Sequence, residues 1–350
     1  MATQTTSGTR LRRVNCNGPG WSRRRRGKGF EYQDQQGSPV RDEDALERLR
    51  ALAIPPAWTE VWICPEANGH LQAVGTDAAG RKQYLYHERW RIRRDLEKFE
   101  RMVRFAHRLP DVRERTERDL AARGLPRERV LACAVRLLDR ASFRVGGESY
   151  LIQNGSFGLA TLRKRHVHVS GDTLSFDYVA KGGKRRKQSV SDRELATVVR
   201  TLKRRSGGGG ELLAWKDGAR WRDVRSVDIN DYLKDLAGEE FSAKDFRTWH
   251  ATVLAAVTLA AGAAEPNSAT SRARVVQSTI KGVAEFLGNT PAVSRASYVD
   301  PRIIDLFMSD SVADLGDLEA DDVLNPGAQP KLELAVLDLL EGRRSSSLAA

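Results

Sequence analysis

The spacing of apolar residues changes period near residue 88, and that change restricts this chain to few arrangements. Before it, apolar residues alternate in short runs, Glu60–Cys64, Leu71–Val74 and Lys82–Tyr86. Asn68-Gly69 and Asp77-Ala-Ala-Gly80 lie between them and favour turns. A helix is expected over Asp42–Leu52, with Ala45, Leu46, Leu49 and Leu52 on one side, and Pro55-Pro56 ends it. From Glu88 onward the helical period takes over. It predicts helices over Arg89–His107, Val112–Arg123, Arg127–Ser142, Asp228–Leu236, Ala243–Ala261, Arg272–Leu287 and Pro301–Met308. One island returns to alternation: Arg165–Val169, Leu174–Val179 and Lys184–Val190, with turns at Ser170-Gly-Asp and Lys181-Gly-Gly. The implied class is α+β: a small β-rich N-terminal lobe and a larger, mainly helical lobe holding a three-stranded antiparallel island.

Charge divides the chain further. The net charge is +12, yet residues 301–350 hold 4 Lys/Arg and 10 Asp/Glu, so the first 300 residues carry +18. Such an excess is the footprint of a polyanion partner. Four stretches are expected: a basic, Gly-rich arm or phosphate-lying loop over 1–38, a β-rich domain over 39–89, a helical domain over 90–310, and an acidic tail over 311–350 with a helix at Leu332–Leu340. No apolar run reaches the ~20 residues of a membrane span. Cys16, Cys64 and Cys133 are odd in number and widely spaced, which fits a reducing cytosol without disulfides or a zinc site.

Four residues form one coherent chemical set. Arg144 stands in Ser142-Phe-Arg-Val-Gly-Gly, where glycines permit close backbone approach. Lys181 sits on the Lys-Gly-Gly turn, and Arg247 lies in the first turns of an apolar helix just after Ser242, a candidate N-cap. Tyr298 follows Gly288-Asn-Thr-Pro291 and precedes Asp300-Pro301, which places an exposed phenol just outside a helix. Guanidinium forks suit phosphate oxygens. A lysine ammonium placed beside a leaving oxygen can act as an acid. A tyrosine nucleophile conserves phosphodiester energy as a covalent ester, so a broken strand can be rejoined without ATP.

These contexts, in this order, resemble the type IB DNA topoisomerases of the short poxvirus and bacterial kind. In the N-terminal part, Ile54-Pro-Pro-Ala-Trp58, Val61-Trp-Ile63, Gly69–Asp77 and Gly80–Tyr86 share the resemblance; later, Asn154–Leu162 and Tyr178-Val-Ala-Lys181-Gly do. The resemblance implies that Arg144 and Arg247 hold the scissile phosphate, that Lys181 protonates the leaving 5′-oxygen, and that Tyr298 forms a 3′-phosphotyrosyl link. It places Lys244 and Tyr150 at supporting phosphate contacts, with Arg81, Lys82, Gln83, Tyr84, Lys184 and Arg185 as further DNA contacts. It implies double-stranded DNA as partner, relaxation of both supercoil signs by two lobes clamped on the duplex, no metal or other cofactor, no membrane, and a cytoplasmic, nucleoid-associated monomer.

The family commonly has a histidine nine residues before the tyrosine. This chain has Asn289 there, whose amide donates a neutral hydrogen bond but cannot become cationic. His166, His168 and His250 are expected to be structural or DNA-facing. A tyrosine recombinase would share the Arg–Lys–Arg–Tyr set, but it usually has a histidine where Lys244 stands and a helical N-terminal domain. A non-catalytic basic DNA-binding protein would account for the charge and not for the ordered set.

Overall fold

The computed structural model describes residues 10–264, 268–318, 322, 325, 327–343 and 346–347. These residues fall into two compact units that divide at Phe99 and Glu100.

The first unit is built on a five-stranded antiparallel sheet in the order β2-β1-β3-β4-β5. Its strands are β1 (Trp21–Arg26), β2 (Gly29–Gln33), β3 (Thr59–Ile63), β4 (Leu71–Thr76) and β5 (Lys82–Tyr86), and α1 (Glu43–Ala51) lies between β2 and β3. Asp42 caps α1 by accepting from the Ala45 N–H. Leu49, Ile63 and Ala73 are fully buried, with Trp21, Tyr32 and Trp58 packed around them. The basic run Arg23–Arg26 corrects the reading of an arm or loop, because it is strand β1, paired with β2 across a turn at Gly27. The Arg23 guanidinium stacks 4.1 Å from the Phe30 ring centroid and donates to the Ile54 and Pro55 carbonyls, while Arg24, Arg25 and Arg26 face solvent. The first nine residues of the expected arm lie outside the described residues.

Helix α2 (Glu88–Leu120) is one helix where two were expected, with Pro110 inside it. Proline removes one backbone hydrogen bond and costs about 3 kcal/mol in a helix interior. Leu109 and Val112 on either side are each 1% exposed, and their burial outweighs that loss.

The second unit continues with α3 (Arg127–Ala141), α4 (Glu148–Asn154), β6 (Val167–Ser170), β7 (Thr173–Val179), β8 (Arg185–Ser191) and α5 (Arg193–Arg204). Then come the hairpin β9 (Ala214–Asp217) and β10 (Arg220–Asp223), α6 (Ser226–Ala237), α7 (Ala243–Ala261), α8 (Ala269–Leu287), α9 (Pro291–Ser297) and α10 (Pro301–Met308). The unit closes with β11 (Ser311–Val312), α11 (Gln329–Leu340) and β12 (Ser346–Ser347). The β island is the expected meander β6-β7-β8, and α7 is buried on almost every side against α3, α8, α10 and α11. Among the described residues no helix is long and apolar enough to cross a membrane.

The C-terminal stretch corrects the reading of a separate acidic tail. Leu332 and Val336 of α11 are fully buried, and α11 packs on α7. The Arg113 guanidinium forks between Asp139 (2.9 Å) and Glu333 (2.7 Å), so Glu333 is an ion-pair partner rather than part of a solvated face. Residues 319–321, 323–324, 326, 344–345 and 348–350 of that stretch lie outside the described residues. Removing one member of a buried charge pair typically costs 3–5 kcal/mol. We therefore expect Glu333→Ala to lose about 3 kcal/mol in urea unfolding, whereas an unchanged midpoint would mean that α11 is not integral to this unit.

Candidate active site

Helix α3 ends at Ser142, which adopts the left-handed conformation (φ 47°, ψ 38°) and turns the chain sharply. Phe143 then drops under the β island, 4.9 Å from the Phe176 ring and 5.9 Å from Tyr178, leaving Arg144 at the rim of a cleft. The following segment is locked by contact between two glycines. A Cβ on Gly158 would lie 2.4 Å from the Gly146 Cα, and the Leu159 and Ala160 N–H groups donate to the Arg144 and Val145 carbonyls at 2.9 and 2.8 Å.

Arg144, Tyr150, Lys181, Lys244, Arg247 and Tyr298 line this cleft of about 300 Å³, so six of the expected residues converge. Lys181 comes from the β7–β8 turn, where Gly182 and Gly183 take positive φ (79° and 73°) that other residues rarely adopt. Its Nζ lies 5.3 Å from the Tyr150 ring centroid on α4. Arg247 and Lys244 stand in the first turns of α7, where Ser242 and Asp245 form a capping box.

Tyr298 ends α9, an unanticipated helix that Thr290 caps by accepting from the Val293 N–H. The phenol is half-buried where the sequence suggested exposure. Its backbone is pinned, since the Thr252 hydroxyl donates to the Tyr298 carbonyl (3.3 Å) and accepts from the Asp300 N–H (3.1 Å). The Arg247 and Lys244 cations lie 5.5 and 5.8 Å from the Tyr298 ring centroid. Burial pushes the phenol up, but Arg247, Lys244 and Arg144 outweigh it and hold it below its ordinary value.

Arg247 is only 2% exposed and donates to the Ser142 (2.5 Å) and Leu287 (2.9 Å) carbonyls. Desolvation, followed by repulsion from Arg144, pushes its pKa down to about 10, so it remains cationic at neutral pH. Arg144 donates to the Gly288 carbonyl (3.2 Å) and to the Asn289 side-chain oxygen. That contact turns the Asn289 amide so that its Nδ2 is left without a partner, as is Arg247 Nε. A buried donor left unpaired costs about 1–3 kcal/mol. Arg247 lines the cleft, whereas Asn289 does not and is joined to it through Arg144; an anionic oxygen is what would satisfy donors of this kind.

The other expected contacts fall elsewhere. Arg185 is exposed and forks onto Asp177 at 2.7 Å, and Lys184 is exposed on the same hairpin. In the first unit, Arg81 and Gln83 both bind Asp77 and brace its turn, while Lys82 and Tyr84 are exposed, with Tyr84 stacked on Tyr86. His250 is structural: it is buried, bonded to the Ser142 hydroxyl (3.0 Å) and 3.3 Å from Asp139. His166 packs edge-on against Phe157, and His168 is exposed. Asp139, His250 and Glu333 lie close enough to share a metal ion, but the Arg113 fork already supplies a cation to both carboxylates.

Sequence reasoning missed Ser142, Gly158 and Arg186. Nothing local marks Ser142. For Arg186 a signal existed: strand alternation counted back from buried Val190 gives Gln188 and Arg186 on the inward face, and Arg185 on the outer one.

Comparison with known proteins places the chain in a family. Residues 87–305 match the family described as the catalytic core of eukaryotic DNA topoisomerase I, and residues 29–77 match the N-terminal domain of bacterial DNA topoisomerase IB. The chain is 31% identical over 271 residues to DNA topoisomerase 1B of Acanthamoeba polyphaga mimivirus, covering 75% of this chain and 80% of that protein. It is 22% identical over 283 residues to DNA topoisomerase 1B of vaccinia virus (strain Copenhagen), covering 79% and 87%. DNA topoisomerase I of monkeypox virus matches to the same extent. With both parts of the chain matched and more than half of it within the catalytic core, this protein belongs to the type IB DNA topoisomerase family.

Proposed function

We propose that this protein relaxes positive and negative supercoils by cutting one strand of duplex DNA and rejoining it, without ATP or metal, acting as a monomer on the nucleoid. The observation that carries this reading is the Tyr298 phenol, set in one cleft with Arg144, Lys181, Lys244 and Arg247. The Tyr298 oxygen attacks the scissile phosphorus and gives up its proton to water. The phosphorus–O5′ bond breaks, and the departing 5′-oxygen takes a proton from Lys181. Arg144, Arg247 and Asn289 stabilise the charge on the non-bridging oxygens. The 3′-phosphotyrosyl ester preserves the bond energy, so the 5′-hydroxyl restores the strand by attacking it after supercoil torque has turned the duplex. Contacts to backbone phosphates make binding strongly salt-dependent. The test is plasmid relaxation in EDTA without nucleotide. Relaxation of both supercoil signs supports the reading, and complete dependence on Mg²⁺ or ATP overturns it.

Three variants examine individual roles. Lys181→Ala is expected to be slow on ordinary DNA and largely rescued by a 5′-bridging phosphorothiolate, because a thiolate leaves without a proton. Equal defects on both substrates would remove the acid role. Asn289→His keeps a donor to the phosphate and is expected to cleave within about tenfold of wild type, a change of ~1.4 kcal/mol. Asn289→Ala should lose more, and wild-type cleavage by it would show that Asn289 does not meet the phosphate.

A further inference from the structure

Helix α8 ends in a Schellman turn. Gly288 takes the left-handed conformation (φ 64°), its N–H donates to Glu285, and the Asn289 N–H donates to the Ala284 carbonyl at 2.9 Å. That arrangement leaves the next carbonyls, of Phe286, Leu287 and Gly288, without helical partners. Each is taken by a different arginine from a different element. Arg186 of β8 donates to Phe286 (2.5 Å), Arg247 of α7 to Leu287 (2.9 Å), and Arg144, after α3, to Gly288 (3.2 Å).

Three guanidiniums gathered this closely repel one another. The negative end of a helix dipole, about half an elementary charge, is what offsets them. Arg144 and Arg247 belong to the proposed phosphate site, but Arg186 does not line the cleft. It is part-buried, and its Nε donates to the Gln188 side chain (2.8 Å). A Cβ on Gly288 would come within 2.9 Å of its Nη1, so it lies directly against the turn that carries Asn289.

We infer that Arg186 is a positioning residue for strand cleavage. It ties the C-terminal end of α8 to β8, so that the Leu287 and Gly288 carbonyls fix Arg247 and Arg144 and the Asn289 amide stays in place. This inference rests on the proposed reading of the cleft. Arg186 itself touches no reacting atom. Its loss moves the groups that do.

The test is single-turnover cleavage of a suicide duplex by wild type, Arg186→Ala, Asn289→Ala and the double variant, with duplex affinity and thermal melting measured alongside. Arg186→Ala is expected to slow cleavage roughly 10- to 100-fold, the scale of an ångström-sized misplacement, with duplex affinity unchanged. Independent losses multiply. Because Arg186 acts partly through Asn289, the double variant should fall clearly short of the product of the two single losses. Arg186→Lys keeps the charge without the fork and should remain slow. Cleavage at the wild-type rate by Arg186→Ala, a fully multiplicative double variant, or full recovery with lysine would each overturn the inference. If Arg186→Ala does not fold, Arg186→Gln, which keeps one N–H donor, carries the same comparison. A wild-type protein that forms no Tyr298 adduct would sink the reading of the cleft. A wild-type adduct with an equally fast Arg186→Ala would sink only this inference.

Discussion

Tyr298→Phe is expected to lower the rate of strand cleavage by about five orders of magnitude or more, the scale reached when a covalent nucleophile is deleted. The substitution removes one oxygen and leaves the ring, which is half-buried, in place. The Thr252 bonds that pin this segment go to backbone atoms and persist. The cations around the phenol also remain, so duplex binding should stay near wild type. Single-turnover cleavage and a denaturing gel for the adduct measure both. An adduct formed by the phenylalanine variant would identify another nucleophile and remove Tyr298 from the mechanism.

Arg247→Ala has the second largest expected effect, and it acts in two ways. Deleting a donor to a developing oxyanion typically costs 10²- to 10³-fold, and Arg247 brings a full charge as well, so a loss of roughly 10²- to 10⁴-fold is expected. The same side chain is buried and supplies donors to the Ser142 and Leu287 carbonyls. Each buried acceptor left unpaired costs about 1–3 kcal/mol, so the variant should also unfold at lower urea. Measuring cleavage under conditions where the variant is folded separates the two effects. Arg144→Ala should lose cleavage to a similar degree with less damage to stability, because Arg144 is only partly buried. Near-wild-type cleavage by either variant would take that arginine out of the site.

Arg144, Lys181, Arg247 and Tyr298 were singled out by short segments that carry the family resemblance, and the structure brings all four to one cleft. Phe143 has to be buried, Lys181 stands on a glycine turn, and Arg247 begins an apolar helix. What could not be read was the connection between them. The convergence of Arg144, Arg247 and Arg186 on the end of α8 joins residues between 40 and 144 positions apart, and no local pattern reports it. Helix α9 escaped because it is seven residues long and opens at Pro291, too short for a helical period to show. Helix α5 was missed although Leu195, Val198, Val199 and Leu202 follow the helical period. The C-terminal stretch was misjudged by counting charge. Glu333 and Asp338 are buried and paired with Arg113 and Arg343, and composition cannot separate a paired acid from a solvated one. The basic run in β1 misled in the same way, because Arg23 uses its stem and fork within the first unit.

The central claim is that Tyr298 becomes joined to the 3′ end of the cut strand. The most direct measurement traps the cleaved complex on a suicide duplex, digests it with protease, and identifies the peptide and the DNA terminus that remain linked. The account expects the peptide containing Tyr298, joined through phosphate to a 3′ end, with a free 5′-hydroxyl on the released strand. A different linked residue, or attachment to the 5′ end, would contradict it.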